Sequence, residues 1–224
     1  MKKPAAVPLD LGEAEVVVVS YELAGVRGDE LLPPGLHPTI PTLLTITAWR
    51  AEGIEMVQLR LSCRAGFRAR ALLVGGAARG ALADQLTDGW AYPDRRADVV
   101  MTRRYDRVWV EMAEGDRTVL SAGLDDPRPM SPHDIQHVVG LNRGTVEGSG
   151  ERLIQVEPHL DTTRAERGTP VVAAFDASWF GDARIAPAHP VAATIEVGHL
   201  TLPPPRFALS PEVPAWEGTE TLAR

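Results

Sequence analysis

Apolar positions along the chain form short runs with a period near two, and few segments show the 3.6-residue period of a helix. The most compact run is Val16 to Tyr21, which is rich in valine, and Leu43 to Trp49 alternates leucine, isoleucine and threonine. Further strands are predicted at Met56–Ser62, Ala69–Val74, Val108–Met112, Thr118–Ala122, Leu153–Glu157, Val171–Phe175 and Thr194–Leu200. Short strands at this spacing, joined by turn residues, predict a mainly β domain, either a barrel or a sandwich.

Helical signals are few. Ser131-Pro132-His133-Asp134 has a serine N-cap, a proline at the first helical position and an acid in the first turn, and predicts a helix to about Val139. Residues 77–86 tolerate a helix, and residues 29–32 are compatible with a turn. Glu114-Gly115-Asp116 separates two strand-like runs and predicts a hairpin turn.

The composition indicates one water-soluble domain. The chain has 224 residues, of which 44% are hydrophobic, and no change of composition marks a linker. We expect a mobile tail at residues 1–13, one domain at residues 14–210 and a C-terminal tail at residues 211–224. The net charge of −7 argues against a nucleic-acid partner, whose phosphates require a basic surface.

No apolar stretch has the length of a membrane span or the pattern of a signal peptide, so we expect no membrane partner. Cys63 is the single cysteine, which excludes an intrachain disulfide and fits a cytoplasmic location. We expect Cys63 to be a buried structural thiol, because no histidine is near it in the sequence.

Three segments, in order, resemble the acetoacetate-decarboxylase-like family. The first runs from the Val17–Tyr21 strand to a Leu-Pro-Pro-Gly-Leu turn at residues 32–36; the second is Asp88-Gly89-Trp90-Ala91-Tyr92-Pro93-Asp94-Arg95-Arg96-Ala97. The third comprises the C-terminal runs at residues 151–157, 171–179 and 195–205. The resemblance implies a cone-like or barrel-like β structure around an internal pocket, and we expect a homo-oligomer that binds a small-molecule substrate.

The second segment departs from the family at its reactive position. Family members that decarboxylate β-keto acids carry two adjacent lysines after the aromatic-proline pair, and the first forms a Schiff base with the ketone. The matching residues here are Asp94 and Arg95, and neither side chain condenses with a ketone. The only lysines in the sequence are Lys2 and Lys3, near the N-terminus. We therefore expect no imine chemistry at the family position.

From the resemblance we expect an enzyme of lyase or isomerase type. It would act on a carbonyl-bearing small molecule, and its catalysis would not use a lysine. The substrate class expected is a polyketide-like secondary-metabolite intermediate, and the reaction is isomerisation, dehydration or cyclisation by acid–base or shape-directed catalysis. Two alternatives stay open: a decarboxylase or aldolase-dehydratase of a keto acid with an unexpected amine, and a non-catalytic binding module.

In this hypothesis Asp94 or Glu22 moves protons, while Tyr92 and Arg95 polarise the carbonyl. The residues expected to bind the substrate are Asp88, Tyr21 and Trp90. Because Glu22 replaces an arginine that family members often carry, a neutral or cationic substrate is favoured unless Arg95 points inward. The alternative roles are a solvated turn residue for Asp94, a surface ion pair for Arg95 and a packed aromatic for Tyr92.

His133 and His137 have the i, i+4 spacing that places two metal ligands on one helix face, but no third ligand is signalled. No phosphate-binding glycine loop and no nucleophile elbow occur in the sequence. We expect neither a metal nor a cofactor.

Overall fold

Strands of one continuous sheet contain most of the chain, and this confirms the mainly β prediction. The computed structural model describes residues 7–23 and 28–222, and within these ranges the sheet has fourteen strands. In chain order they are β1 Leu9–Leu23, β2 His37–Pro38, β3 Leu43–Ala51, β4 Ile54–Ala65, β5 Arg68–Arg79, β6 Asp98–Arg103, β7 Arg107–Glu114, β8 Arg117–Met130, β9 Gly140–Val146, β10 Gly150–Val156, β11 His159–Phe175, β12 Pro187–Leu202, β13 Phe207–Leu209 and β14 Thr219–Thr221.

The strands follow the order β14-β13-β10-β9-β5-β4-β3-β1-β12-β11-β8-β7-β6, with β2 added beside β4. All pairs are antiparallel except β5 and β9. The predicted hairpin turn is present between β7 and β8, where Gly115 adopts a positive φ of 59°. Such left-handed backbone favours glycine, because other side chains clash there.

The two ends of the sheet fold back onto opposite faces of its centre. On one face, Val17, Ile46 and Leu59 pack against Val110 and Leu120 in the largest apolar cluster. On the other face, a second cluster joins the central strands to β10, β12, β13, a helix and the residue after β14. Its large side chains include Trp49, Met56, Trp90, Ile154, Leu200 and Leu222. The cavity described below opens on this second face.

The helices differ from the predictions. Helix α1 is Ala83–Trp90, so residues 77–79, which were expected to tolerate a helix, still belong to β5. The predicted helix from Ser131 to Val139 is wrong: Ser131 caps a single 3₁₀ turn, Pro132–Asp134, and Ile135 is already extended with ψ 129°. The remaining helical elements are the 3₁₀ turn Gly28–Glu30 and the short helix α2, Ala215–Gly218.

The domain is longer than the sequence predicts. β1 starts at Leu9, which pairs with Leu202, whereas residues 1–6, including Lys2 and Lys3, lie outside the described residues. At the other end, β14 pairs with β13 and Leu222 is buried. The prediction of a C-terminal tail from residue 211 is therefore wrong as far as residue 222. Within the described ranges, no helix is both long and apolar enough to span a membrane.

Candidate active site

A cavity of about 660 Å³ lies on the face of the central strands that is turned away from the largest apolar cluster. Alternate residues of three strands form one wall, since successive side chains of a strand point to opposite faces. The residues of this wall are Val16, Val18 and Ser20 on β1, Leu43, Thr45, Thr47 and Trp49 on β3, and Gln58, Arg60 and Ser62 on β4. Residues 69–71, 136–140 and 157–160, together with Leu200 and Pro203, complete the walls. The volume falls within the usual range of ligand pockets, roughly 300–1,000 Å³.

Arg60 is a buried cation in the cavity wall, with 8% of its surface exposed. Its Nε and Nη2 donate to Gln58 Oε1 at 2.9 and 2.7 Å, Nη2 also donates to Asn142 Oδ1 at 2.9 Å, and Nη1 donates to the Ala71 carbonyl at 3.1 Å. All these acceptors are neutral, and no carboxylate of residues 7–23 or 28–222 forms an ion pair with Arg60. Burial lowers the pKa of Arg60, but a guanidinium stays protonated in proteins.

The polar groups around Arg60 are fixed from behind. Asn142 is fully buried, and its Nδ2 donates to the Trp90 carbonyl at 3.0 Å. The backbone of Gly140 approaches the guanidinium so closely that a Cβ there would lie 2.6 Å from Arg60 Nη1. Gln58 is fully buried, and its Nε2 has no hydrogen-bond partner among the described residues. The cavity wall thus presents a cation beside an unused amide donor.

Arg70 lines the same cavity and is also buried. Its Nη1 donates to the Ala69 carbonyl at 2.8 Å, and its Nε is without a partner in the described part of the chain. Burial is the main cause that lowers the pKa of Arg70, and the charge of Glu157 opposes this shift. The lining contains two arginines, Arg60 and Arg70, and one carboxylate, the exposed Glu157, so the arginines and carboxylates of the lining sum to a positive charge.

A histidine–carboxylate pair adjoins the cavity. His137 lines it, and its Nε2 lies 3.2 Å from Glu196 Oε2. Glu196 is fully buried, its Oε2 also accepts from Thr162 Oγ1 at 2.9 Å, and no described residue bonds its Oε1. The hydrogen bond to Glu196 is the main cause that raises the pKa of His137, whereas burial opposes the shift.

The residues predicted at the family's lysine position lie elsewhere. Asp94 and Arg95 are exposed and, with Tyr92, line a separate depression of about 450 Å³. Arg95 lies 4.7 Å from the centre of the Trp179 ring and donates to the Trp179 carbonyl, so it does not point into the main cavity. Tyr92 is buried against Trp49, and its hydroxyl is unpartnered in the described structure. Burial raises the pKa of Tyr92.

The other predicted site residues are not brought together with these three. Tyr21 is buried in the largest apolar cluster, on the face of β1 opposite the cavity, where burial raises its pKa. Glu22 is half-buried at the end of β1, opposite Leu43 and His189. Asp88 is exposed on α1, whereas Trp90 is buried and donates from Nε1 to the Pro203 carbonyl at 2.7 Å. None of these four residues lines the 660 Å³ cavity or the 450 Å³ depression.

Sequence reasoning missed three cavity or supporting residues, Gln58, Arg60 and Asn142. It also missed the pairing of His137 with Glu196. A usable signal was present on β4, where Gln58, Arg60 and Ser62 alternate with the buried Val57, Leu59 and Leu61. The absence of a metal stays a prediction. His133 and His137 share no helix, and within the described ranges no three His, Cys, Asp or Glu side chains form a group suited to a metal.

Cys63 is buried, as expected. Burial raises its pKa to about 11, so the thiol is protonated near neutral pH and is a poor nucleophile.

No protein-family model and no curated protein matches the sequence. Solved structures do match the fold. The acetoacetate decarboxylase from Legionella pneumophila subsp. pneumophila str. Philadelphia 1 has a TM-score of 0.74 and 15% identity, over 90% of this chain and 87% of that one. The enduracididine biosynthesis enzyme MppR, complexed with pyruvate, has a TM-score of 0.69 and 18% identity, over 99% of this chain and 91% of that one.

A second MppR structure contains the condensation product of pyruvate and imidazole 4-carboxaldehyde. It matches with a TM-score of 0.67 and 17% identity, over 99% of this chain and 90% of that one. Likeness at such low identity establishes the fold, while the chemistry has to be argued from the residues of this chain.

Proposed function

We propose, from the premise that this chain has the acetoacetate-decarboxylase-like fold, that it is an enzyme acting without an imine on a small carbonyl compound that carries an anionic oxygen. The observation that carries the proposal is Arg60, a buried guanidinium in the wall of the 660 Å³ cavity with neutral acceptors as its described partners. A buried cation without a counter-ion costs free energy. A carboxylate or enolate oxygen in the cavity would supply the missing negative charge.

The charge of the cavity changes the expected substrate. The neutral or cationic substrate expected from the sequence followed from Glu22 and Asp94, but neither residue lines the main cavity, whereas Arg60 and Arg70 do. Apolar side chains such as Val16, Leu43 and Leu200 make up much of the remaining wall. This combination suits a β-keto carboxylate or a related polyketide-like intermediate with an apolar body and an anionic end.

Arg60 also suits the reaction classes expected from the sequence. Isomerisation, dehydration and cyclisation of carbonyl compounds develop negative charge on the carbonyl oxygen when they pass through an enolate, and a fixed cation in a water-poor site stabilises that charge. The walls can hold a flexible substrate in a reactive conformer and so remove part of the entropic barrier. A lysine is needed for neither effect, and none of the described residues is lysine.

Binding of pyruvate, measured by isothermal titration calorimetry, tests the proposal. Arg60→Met is expected to weaken binding at least about tenfold, which corresponds to about 1.4 kcal/mol. Arg64→Met is the matched control, because Arg64 is exposed on the same strand and should leave the affinity within about twofold of wild type. Equal affinities for all three folded proteins would contradict the proposal, as would an absence of binding to the wild type.

A further inference from the structure

His137 projects from an irregular segment that forms one wall of the cavity. Residues 136–139 belong to no helix or strand, and all four line the cavity. The segment is fixed at its end, where the Ala71 amide donates to the Val139 carbonyl at 3.0 Å. The side chain of His137 is about half exposed (51%), so its ring can contact both Glu196 and a molecule in the cavity.

Glu196 lies behind this wall and orients the ring. It is on β12 directly opposite Val16, a residue that lines the cavity, and such cross-strand partners share a face of the sheet. Thr162 Oγ1 and His137 Nε2 both approach Glu196 Oε2, at 2.9 and 3.2 Å. A fully buried carboxylate fixed in this way holds the imidazole in one orientation.

The pairing also determines the tautomer of the neutral ring. Since Glu196 Oε2 is an acceptor, Nε2 must carry the hydrogen, and the lone pair of neutral His137 is then on Nδ1. No described residue bonds Nδ1. His137 lines the cavity, one of its ring nitrogens is bound by a buried carboxylate and the other is unused. This is the arrangement of a general base and its orienting group.

We propose that His137 is the proton-transfer group of this cavity, acting through Nδ1 while Glu196 holds Nε2–H; the assignment rests on the proposed function. Nδ1 takes a proton from the carbon next to the substrate carbonyl. The electron pair of that C–H bond forms the C=C bond of an enolate, and the carbonyl π pair moves to the oxygen near Arg60. Glu196 stabilises the imidazolium, which then returns its proton. In isomerisation the proton goes to carbon, where the enolate electron pair forms the new C–H bond. In dehydration the enolate re-forms the carbonyl, its C=C electron pair forms the new double bond, the C–O bond of a β-hydroxyl group breaks, and the proton goes to that oxygen, which leaves as water.

Neighbouring charges set the pH dependence of this step. Glu196 lies behind the wall, and the other titratable groups around His137, all in the cavity lining, are Arg60, Arg70, Glu157 and His159. The neutral imidazole is the base, so the rate rises as the pH passes the pKa of His137. Because Glu196 raises that pKa, the rise should be centred above the ordinary histidine value of about 6.5. Glu196→Gln removes the negative charge, so the rise should move to lower pH.

The first test needs no substrate. Long-range ¹H–¹⁵N correlation NMR on ¹⁵N-histidine protein reports the tautomer of each ring, and His137→Gln assigns the signal. An Nε2–H tautomer with a pKa that falls in Glu196→Gln is the expected result. An Nδ1–H tautomer, or a pKa that Glu196→Gln leaves unchanged, would overturn the assignment.

The second test is exchange of the pyruvate methyl protons in D₂O, followed by ¹H NMR. His137→Gln should slow the protein-catalysed exchange about 100-fold, a typical contribution of a general base, with the calorimetric Kd for pyruvate within about twofold. His133→Gln is the control, because His133 is exposed in the preceding 3₁₀ turn and outside the described cavity lining.

The outcomes separate this assignment from the proposed function. The role of His137 would be refuted if pyruvate binds through Arg60 but its protons do not exchange, or if exchange survives in His137→Gln. Either result would leave the binding proposal standing. Loss of exchange in Asp94→Ala or His159→Gln but not in His137→Gln would refute it in the same way. Loss of pyruvate binding in His137→Gln would indicate a positioning role instead.

Discussion

Arg60 keeps its positive charge in a site that offers it amide and carbonyl oxygens in place of a carboxylate. Gln58 Oε1 accepts from both Nε and Nη2, so the amide oxygen is fully committed to the guanidinium. The amide nitrogen on the other side of the same group has no partner in the described structure. Replacing that NH₂ by an oxygen would therefore change the charge of the site with little change of shape.

Gln58→Glu is expected to neutralise the positive charge of Arg60 with a carboxylate of the protein itself. The new carboxylate would lie where Gln58 Oε1 now accepts at 2.7–2.9 Å, and an arginine–carboxylate pair at that distance is a strong, charge-assisted bond. We expect pyruvate affinity to fall at least about tenfold, while the melting temperature stays at or above that of wild type. Calorimetric titration and thermal unfolding measure the two quantities.

The variant separates loss of charge from loss of packing, which Arg60→Met does not. Wild-type pyruvate affinity in folded Gln58→Glu would mean that the net charge of this wall has no part in binding. A large drop in melting temperature would instead indicate that burying the new carboxylate costs more free energy than its pairing with Arg60 contributes.

At the scale of elements, Arg60 joins three strands. It is on β4, it donates to a carbonyl of β5, and it donates to Asn142 of β9, the strand that pairs in parallel with β5. This contact requires the start of β9 to approach closely, and Gly140 permits it. A Cβ there would meet Arg60 Nη1 at 2.6 Å and Val156 Cγ2 at 2.9 Å.

Gly140→Ala should therefore destabilise the domain by about 1–3 kcal/mol, the usual cost of an overpacked site. The added methyl group must displace either the guanidinium or the β9–β10 pair. Chemical denaturation measures the free energy of unfolding, with Thr145→Ala as the control because Thr145 is exposed on the same strand. A change below about 0.5 kcal/mol, the range of neutral surface substitutions, would contradict the geometry.

Strands could be predicted where β-branched runs were dense, as at Val16 to Tyr21, because strand propensity and burial favour the same residues there. Short helices could not. α1 starts after Leu82 without a side-chain cap and ends at Ala91 with a positive φ of 55°, so it has neither of the usual boundary signals. Ser131 and Pro132 did start a turn, but the backbone is extended from Ile135, and the Val139 carbonyl accepts from the Ala71 amide of β5 in place of a helical bond.

At the scale of the molecule, the fold decides which polar side chains meet. Glu196, Asn142 and Gln58 are far apart in the sequence and fully buried in the structure. Alternation along a strand reveals a polar face but does not say whether that face is turned to solvent or to a cavity. The family resemblance directed attention to Asp94. Arg60 was missed because it lies outside the three segments that carry the resemblance.

The whole chain also determines whether a Schiff base can form. Its only lysines are Lys2 and Lys3, outside the described residues, and neither Asp94 nor Arg95, the residues that the resemblance matches to the family's lysines, can form an imine. Treating the protein with pyruvate and sodium borohydride should therefore leave its mass unchanged by mass spectrometry, because no amine of the described domain can form a reducible imine.

A Lys2→Arg/Lys3→Arg variant removes every side-chain amine, so an adduct that persists in it must be on the α-amino group. A nitrogen-linked adduct present in wild type and absent in this variant would indicate that the N-terminal segment supplies an amine. In that case the imine-independent mechanism would fail. If neither protein forms an adduct and both exchange pyruvate protons at the same rate, the chemistry depends on groups such as Arg60 and His137, which act on the carbonyl without a covalent bond.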